Sequence, residues 1–198
     1  MGASLDQQLE FLRTLDGLKG IQRASPIIDR TRQENSAEHS WHVAMYALVL
    51  AEYAPADVDI GRVVQMLLLH DVVEIDAGDV PLHSDQSTDA QMKAERLAAD
   101  RIFGILPLAQ RDRMRALWDE FEAALTSDAR FAKSLDRFQP LIQNLATGGG
   151  TWIEHSLTEQ QVVERYGPQI HQGSPVLWRR ARKLVSDFFA TTPPSRNP

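Results

Sequence analysis

The chain has no cysteine, which excludes disulfides and thiolate metal sites alike. Any metal it binds must be held by His, Asp or Glu, a donor set that suits Mg, Mn, Fe, Co, Ni or Zn and rules out sulfur-based structural zinc. No apolar run approaches ~18 residues, so no membrane partner is expected. The first residues, Met1 to Asp6, lack the basic stretch and apolar segment of a secretion signal, and the cytoplasm is the expected location. Basic residues are in deficit: 21 Lys and Arg stand against 27 Asp and Glu, a formal charge of −6. Long nucleic acids, whose phosphate backbones need a basic surface, are therefore excluded as partners. A small phosphorylated substrate is not, since one metal ion and one arginine can supply the positive charge locally. What remains is an ordinary globular composition, 43% hydrophobic and 24% charged over 198 residues, long enough for one domain with a good core.

The periodicity is helical almost throughout, and the fold expected is all-α, a single bundle of about seven to eight helices. Ser4 with Gln7 reads as a capping box that opens a first helix, ending near Thr14. A charged loop with Gly17, Gly20 and Pro26 follows, and nothing in it reads as a hairpin. Asn35, three residues before Glu38, is placed to cap a second helix running to about Tyr53. His39 lies four residues before Val43, on that helix's apolar face with Tyr46 and Leu50. From Ile60 to Ile75 the chain is apolar nearly all round, the pattern of a central buried helix stopped by Gly78. So much Val and Leu also permits a strand, but the length favours a helix. Later helices are expected near 89–106, 108–125, 128–146, 158–166 and 175–190. Gly148-Gly149-Gly150 is the sharpest break. It divides the chain into residues 1–150 and a C-terminal helical extension, 151–198, too small for a core of its own and so expected to pack on the same domain.

Function is signalled by ionisable residues where a core should be. His70 and Asp71 interrupt the most apolar helix, and a buried carboxylate needs a cation or several donors. His39 faces inward from the neighbouring helix, and Asp136 lies inside the amphipathic segment Phe131 to Phe138. Together His39, His70, Asp71 and Asp136 would make a two-His, two-carboxylate site with positions left for water and substrate. Glu74 is one turn beyond His70, and Asp79 follows the Gly78 stop, where a loop could fold it back. Carboxylates so placed suit general acid and base roles.

The order His39 … His70-Asp71 … Asp136 resembles the H…HD…D signature of the HD-domain metal-dependent phosphohydrolases. The stretch Arg32-Gln33-Glu34-Asn35-Ser36-Ala37-Glu38-His39-Ser40 is similar to the "R-x-E-N-(V/S)-(A/S)-E-H-S" of the small 5′-deoxynucleotidase-like branch. His70-Asp71-Val72-Val73-Glu74-Ile75-Asp76-Ala77-Gly78-Asp79 is similar to its "H-D-x-x-E-x-x-x-G-D", and Leu18 to Arg23 to the segment that brings an arginine to the substrate phosphate. The likeness runs from about residue 10 to 146, the HD domain lying within 1–150. It implies one divalent metal (Mn, Co, Mg, Zn, Ni or Fe) on His39, His70, Asp71 and Asp136. It also implies Glu74 orienting or deprotonating the attacking water, Asp79 assisting proton transfer and Arg23 holding the phosphate. The implied substrate is a (deoxy)nucleoside 5′-monophosphate, and the implied assembly a homodimer. Where the bacterial nucleotidases carry an aromatic residue after that arginine, this chain has Ala24, which bears on nucleoside recognition.

Blander roles stand beside these. An inward His is more often a core residue than a ligand, Asp136 could pair with Lys133 or Arg137, and Arg23 could be a surface arginine. His42 could be packed or could support His39. His83, His155 and His171 read as loop residues, Trp41 and Trp152 as packing, and Lys93 and Arg96 as a solvated face. Competing activities are hydrolysis of a nucleoside triphosphate, a cyclic nucleotide or an alarmone. A non-catalytic metal- or nucleotide-binding sensor is the non-enzymatic alternative.

Overall fold

The computed structural model describes residues 2–80 and 88–191; His83 lies outside them. It is helical, as expected. Eight helices of ten residues or more and two short ones occupy the described residues, with a single two-stranded sheet. The order is α1 (Gly2–Leu15), β1 (Gln22–Pro26), β2 (Gln33–Asn35), α2 (Ser36–Val49), α3 (Ile60–Leu69), α4 (Glu74–Ala77), α5 (Thr88–Phe103), α6 (Leu108–Ala123), α7 (Ser127–Ala146), α8 (Gly150–Glu154), α9 (Glu159–Gly173) and α10 (Pro175–Thr191). No helix among the described residues is long and apolar enough to cross a membrane.

Several boundaries differ from the sequence reading. α1 begins at Gly2, so Ser4 lies inside the helix rather than capping it. α9 continues through Pro168 to Gly173, which puts His171 in a helix, whereas His155 sits at the C-terminal end of α8. The segment from 60 to 77 is not one helix. α3 stops at Leu69, His70–Val73 form a 3-10 turn, and α4 adds one more turn before Gly78, at φ 76°, ends it. An unbroken apolar pattern carries no mark of such a change in winding, because Val72 and Val73 are buried in either geometry. The charged loop holds the hairpin that was not expected. β1 and β2 pair antiparallel, with an irregular register and a turn around Arg30 at φ 62°. Asp29 Oδ1 accepts from Thr31 N–H and Oγ1 at 3.0 and 2.7 Å, a local hydrogen-bonded turn in place of the Asn-Gly that marks tight hairpins.

The capping of α2 is as read: Asn35 Oδ1 accepts from Glu38 N–H at 3.0 Å, and the Glu38 carboxylate accepts from Asn35 N–H at 3.2 Å. Arg32 grips the same carboxylate with two nitrogens, at 2.6 and 2.7 Å. The start of α2, and hence His39 one turn in, is thus located by polar contacts as well as by packing. α7 runs through the middle, with Phe131, Leu135 and Leu141 fully buried against residues of α2, α3, α9 and α10. Fully burying a side chain of this size is worth about 1.5–3 kcal/mol. Helices after residue 150 complete this core: Trp152 is fully buried, with the rings of Phe188, Phe189 and Tyr166 at 5.7, 6.0 and 6.1 Å. Gly149, at φ 105°, lets the chain turn where a Cβ would strike Phe188 and Ile153. A second cluster under α1, α5 and α6 buries Phe11, Ile102, Phe103 and Trp118 against Val72 and Val73. The 70–73 turn is therefore wedged between two apolar masses, and this fixes His70 and Asp71.

Candidate metal centre

Three elements bring ligand-type atoms to one point: α2 with His39, the 3-10 turn with His70 and Asp71, and α7 with Asp136. One donor atom from each of His39, His70 and Asp136 lies within 4.8 Å of the others, and all three residues are buried. His39 Nε2 is 3.1 Å and His70 Nε2 3.4 Å from Asp136 Oδ1. Asp71, the fourth expected ligand, falls outside that three-residue cluster: its Oδ1 is 3.0 Å from His70 Nε2 and its Oδ2 accepts from Arg23.

The proton positions argue for a cation at this point. His70 Nδ1 donates to the Leu67 carbonyl at 2.8 Å, which leaves Nε2 facing the two carboxylates. Nε2 is buried and makes no regular hydrogen bond, although Asp71 Oδ1 and Asp136 Oδ1 stand 3.0 and 3.4 Å away. A charge can be supplied in two ways: by a proton on the ring or by an ion between the groups. Two ligand atoms each about 2.1 Å from a shared ion stand about 3.0 Å apart at a right angle and about 3.4 Å at the tetrahedral angle. The spacings here are compatible with such an ion, and the nitrogen and oxygen donors fit a divalent cation.

Around this point the charges are crowded. Arg23, on β1, donates from Nη1 to Asp71 Oδ2 at 3.0 Å and stands 3.6 Å from Asp79, 3.8 Å from Glu34 and 4.0 Å from Glu74. The sequence reading left Asp71 without a cationic partner; the hairpin supplies one. Burial alone would raise the Asp71 pKa, but His70 and Arg23 overcome it and hold the group at about 2. Asp136 is held well below its usual value against the same burial by Arg137, His39 and His70. Burial and then the Asp71 charge push Glu74 up to about 9, against the pull of Arg23. Burial, opposed by Arg23 and reinforced by Asp71, also raises Asp79. One pair of carboxylates thus has its pKa values lowered and another has them raised, the division of labour that acid–base chemistry uses.

Six of the seven expected residues, Arg23, His70, Asp71, Glu74, Asp79 and Asp136, line one pocket of about 710 Å³; His39 is fully buried behind it. Four further residues reach the site to which the sequence assigned no functional role. Ser36 Oγ donates to Glu74 Oε2 at 2.6 Å. Lys133 and Arg137 line the pocket from α7. Gln139 meets His39 from the protein side at 3.1 Å. A signal existed for Gln139, a polar residue on an otherwise apolar helix face; for Ser36 there was none. His42 touches Gln139 at 3.2 Å, the supporting rather than ligating place. Trp41 is 62% exposed and packs into no core.

The charges predict how stability follows pH once divalent ions are chelated. His70, raised from 6.5 to about 10, stabilises the fold fully below about pH 6.5 and loses that contribution as pH rises towards 10. Glu74 stays protonated in the fold to about 9 but ionises at its ordinary 4.5 when unfolded, so its contribution falls from pH 4.5 to about 9. Asp71 acts oppositely, losing its contribution only on acidification from 3.8 towards 2. The melting temperature of chelated protein should therefore fall by several degrees between pH 6.5 and 9. Divalent metal should raise it and flatten the slope by replacing protons. Thermal-shift curves with EDTA and with Mn²⁺ test this; a melting temperature that rises with pH under EDTA would contradict it.

Comparison with known proteins matches residues 15–178 to the family described as HD domain. The 5′-deoxynucleotidase HDDC2 of Danio rerio is 26% identical over 140 residues, 70% of this chain and 68% of that protein. The Homo sapiens 5′-deoxynucleotidase HDDC2 is 27% identical over 136 residues, 68% and 65% of the two chains. The chain thus spans about two thirds of the length of these curated relatives. Among solved structures, a predicted metal-dependent phosphohydrolase from Magnetospirillum magnetotacticum MS-1 superposes with a TM-score of 0.89 at 48% identity, covering 95% of this chain and 96% of the other.

Proposed function

The chain belongs to the HD-domain family of phosphohydrolases, and from that premise we propose that it releases phosphate from (deoxy)nucleoside 5′-monophosphates with the help of one divalent metal ion. The observation that carries this reading is the convergence of His39, His70 and Asp136 at the base of a pocket rimmed by Glu74, Asp79 and Arg23. The pocket's volume of about 710 Å³ is in the range of small-molecule sites.

In this reading His39, His70, Asp71 and Asp136 hold the ion. The bound cation would polarise water and offset the charge of the phosphate. Glu74, fixed by Ser36, orients the attacking water and takes its proton. Asp79, whose pKa is raised by burial against the pull of Arg23, gives a proton to the departing ester oxygen. Arg23 holds Asp71 and Asp79 in place and turns its remaining donors to the phosphate. Residues 1–150 would make up the HD domain and 151–198 an extension of it, a division in keeping with Thr151 and Tyr166 reaching the pocket wall.

The test is phosphate release from a panel of nucleoside monophosphates by metal-stripped protein, with Mn²⁺, Co²⁺, Mg²⁺ or Zn²⁺ restored in turn. Metal-dependent release that favours 5′- over 3′-monophosphates is expected. Release from triphosphates or cyclic nucleotides alone would overturn the substrate assignment. Binding of nucleotide without any turnover would favour a sensor.

A further inference from the structure

Gln139 is fully buried one turn after Asp136, where the apolar face of α7 would otherwise continue. Burying an amide is costly unless its groups are bonded, and here both ends are. Its Nε2 lies 3.3 Å from Glu34 Oε1 and 3.2 Å from His42 Nδ1, and it also bonds to Gln143 Oε1. Gln143 is itself oriented, its Nε2 donating to the Pro26 carbonyl at 2.6 Å. Of these neighbours, the Glu34 and Gln143 oxygens can only accept. Turning the Gln139 amide over would set its carbonyl against their lone pairs, so the orientation is determined. The carbonyl oxygen is left pointing at His39 Nδ1, 3.1 Å away. That oxygen can only accept, which keeps a proton on Nδ1 and leaves Nε2 as the ring atom that faces Asp136, at 3.1 Å.

From this we infer that Gln139 is a positioning residue: it sets the tautomer and ring orientation of His39 so that Nε2 is free to bind a divalent cation, and Glu34 orients Gln139 in turn. The inference rests on the proposed metal site but adds what the ligand set does not contain. α7 supplies both a ligand, Asp136, and the group that aims another ligand, His39. Removing such an outer partner typically weakens metal binding about 10- to 100-fold.

Two variants test it. Gln139→Leu removes the nearer acceptor and leaves only Glu34 Oε2, which stands 3.5 Å from His39 Nδ1 without a hydrogen bond. The exchanged pair Glu34→Gln with Gln139→Glu restores one, because the new carboxylate accepts from His39 while the new amide donates to it. The readouts are the ¹⁵N signals of the His39 ring in chelated protein and the affinity for Zn²⁺ by calorimetry. Wild type should keep a proton on Nδ1, whether or not Nε2, which faces Asp136, carries one as well. Gln139→Leu should show a mixture and a 10- to 100-fold weaker Zn²⁺ affinity, and the exchanged pair should recover both. A wild-type ring signature and affinity in Gln139→Leu would overturn the inference. If Gln139→Leu does not fold, the exchanged pair decides alone: recovery supports the inference, and a folded protein with mixed tautomers or a tenfold weaker affinity overturns it. Failure of wild type to bind any divalent ion would instead defeat the metal reading, and the ring tautomer would still report on Gln139.

Discussion

Asp71→Asn should release the divalent ion and lower phosphate release by roughly 10³-fold, since a metal supplies several kcal/mol of transition-state stabilisation and about 1.4 kcal/mol is a factor of ten. The substitution keeps the shape of the side chain, removes its charge and turns one acceptor oxygen into a donor. It should spare the fold, because Arg23 retains Asp79, Glu34 and Glu74 within 4.0 Å. The metal-free variant should even depend less on pH than chelated wild type. Asp71 is the strongest of the neighbouring charges that push the Glu74 pKa up, and its loss lets Glu74 ionise more easily. Metal analysis and thermal-shift curves check both halves. An Asp71→Asn protein that keeps stoichiometric metal and full turnover would remove Asp71 from the ligand set.

Glu74→Gln should have a comparable effect on turnover by a different route. Its carboxylate is not among the donors that converge on His70 and Asp136, so the affinity for metal should change little. The rate should fall about 10²- to 10⁴-fold, the usual contribution of a positioned acid or base. A divalent cation nearby should draw the Glu74 pKa down from about 9 and make the ionised base available near neutrality. The acid limb of the pH–rate profile should therefore belong to Glu74 and be absent from what activity remains in the variant. An unchanged rate and an intact acid limb would exclude Glu74 from the chemistry.

The sequence and the fold agree where a single local rule decides. Asn35 and Glu38 form the capping box that their spacing announces, and the helical period of residues 128–146 returns as α7. The ordered His39, His70-Asp71 and Asp136 could be read because ionisable groups interrupt apolar faces, an expensive arrangement without a purpose. What was not legible depends on contacts between distant segments. The turn at His70–Val73 is imposed by packing on both sides, not by the residues' own preferences. The hairpin rests on an aspartate-anchored turn and on Arg30 reaching the Thr147 carbonyl, 117 positions away. Arg23 could be read as a phosphate ligand, but its ties to Asp71 and Asp79 appear only once β1 is laid across the site. Gln139 is visible in sequence only as a polar residue out of place.

The central claim is that His39, His70, Asp71 and Asp136 hold one ion. Anomalous diffraction from crystals grown with Mn²⁺ tests it most directly. One strong peak should lie between the Nε2 atoms of His39 and His70 and the carboxylates of Asp71 and Asp136. A peak held by other residues, or none at saturating manganese, would contradict the account.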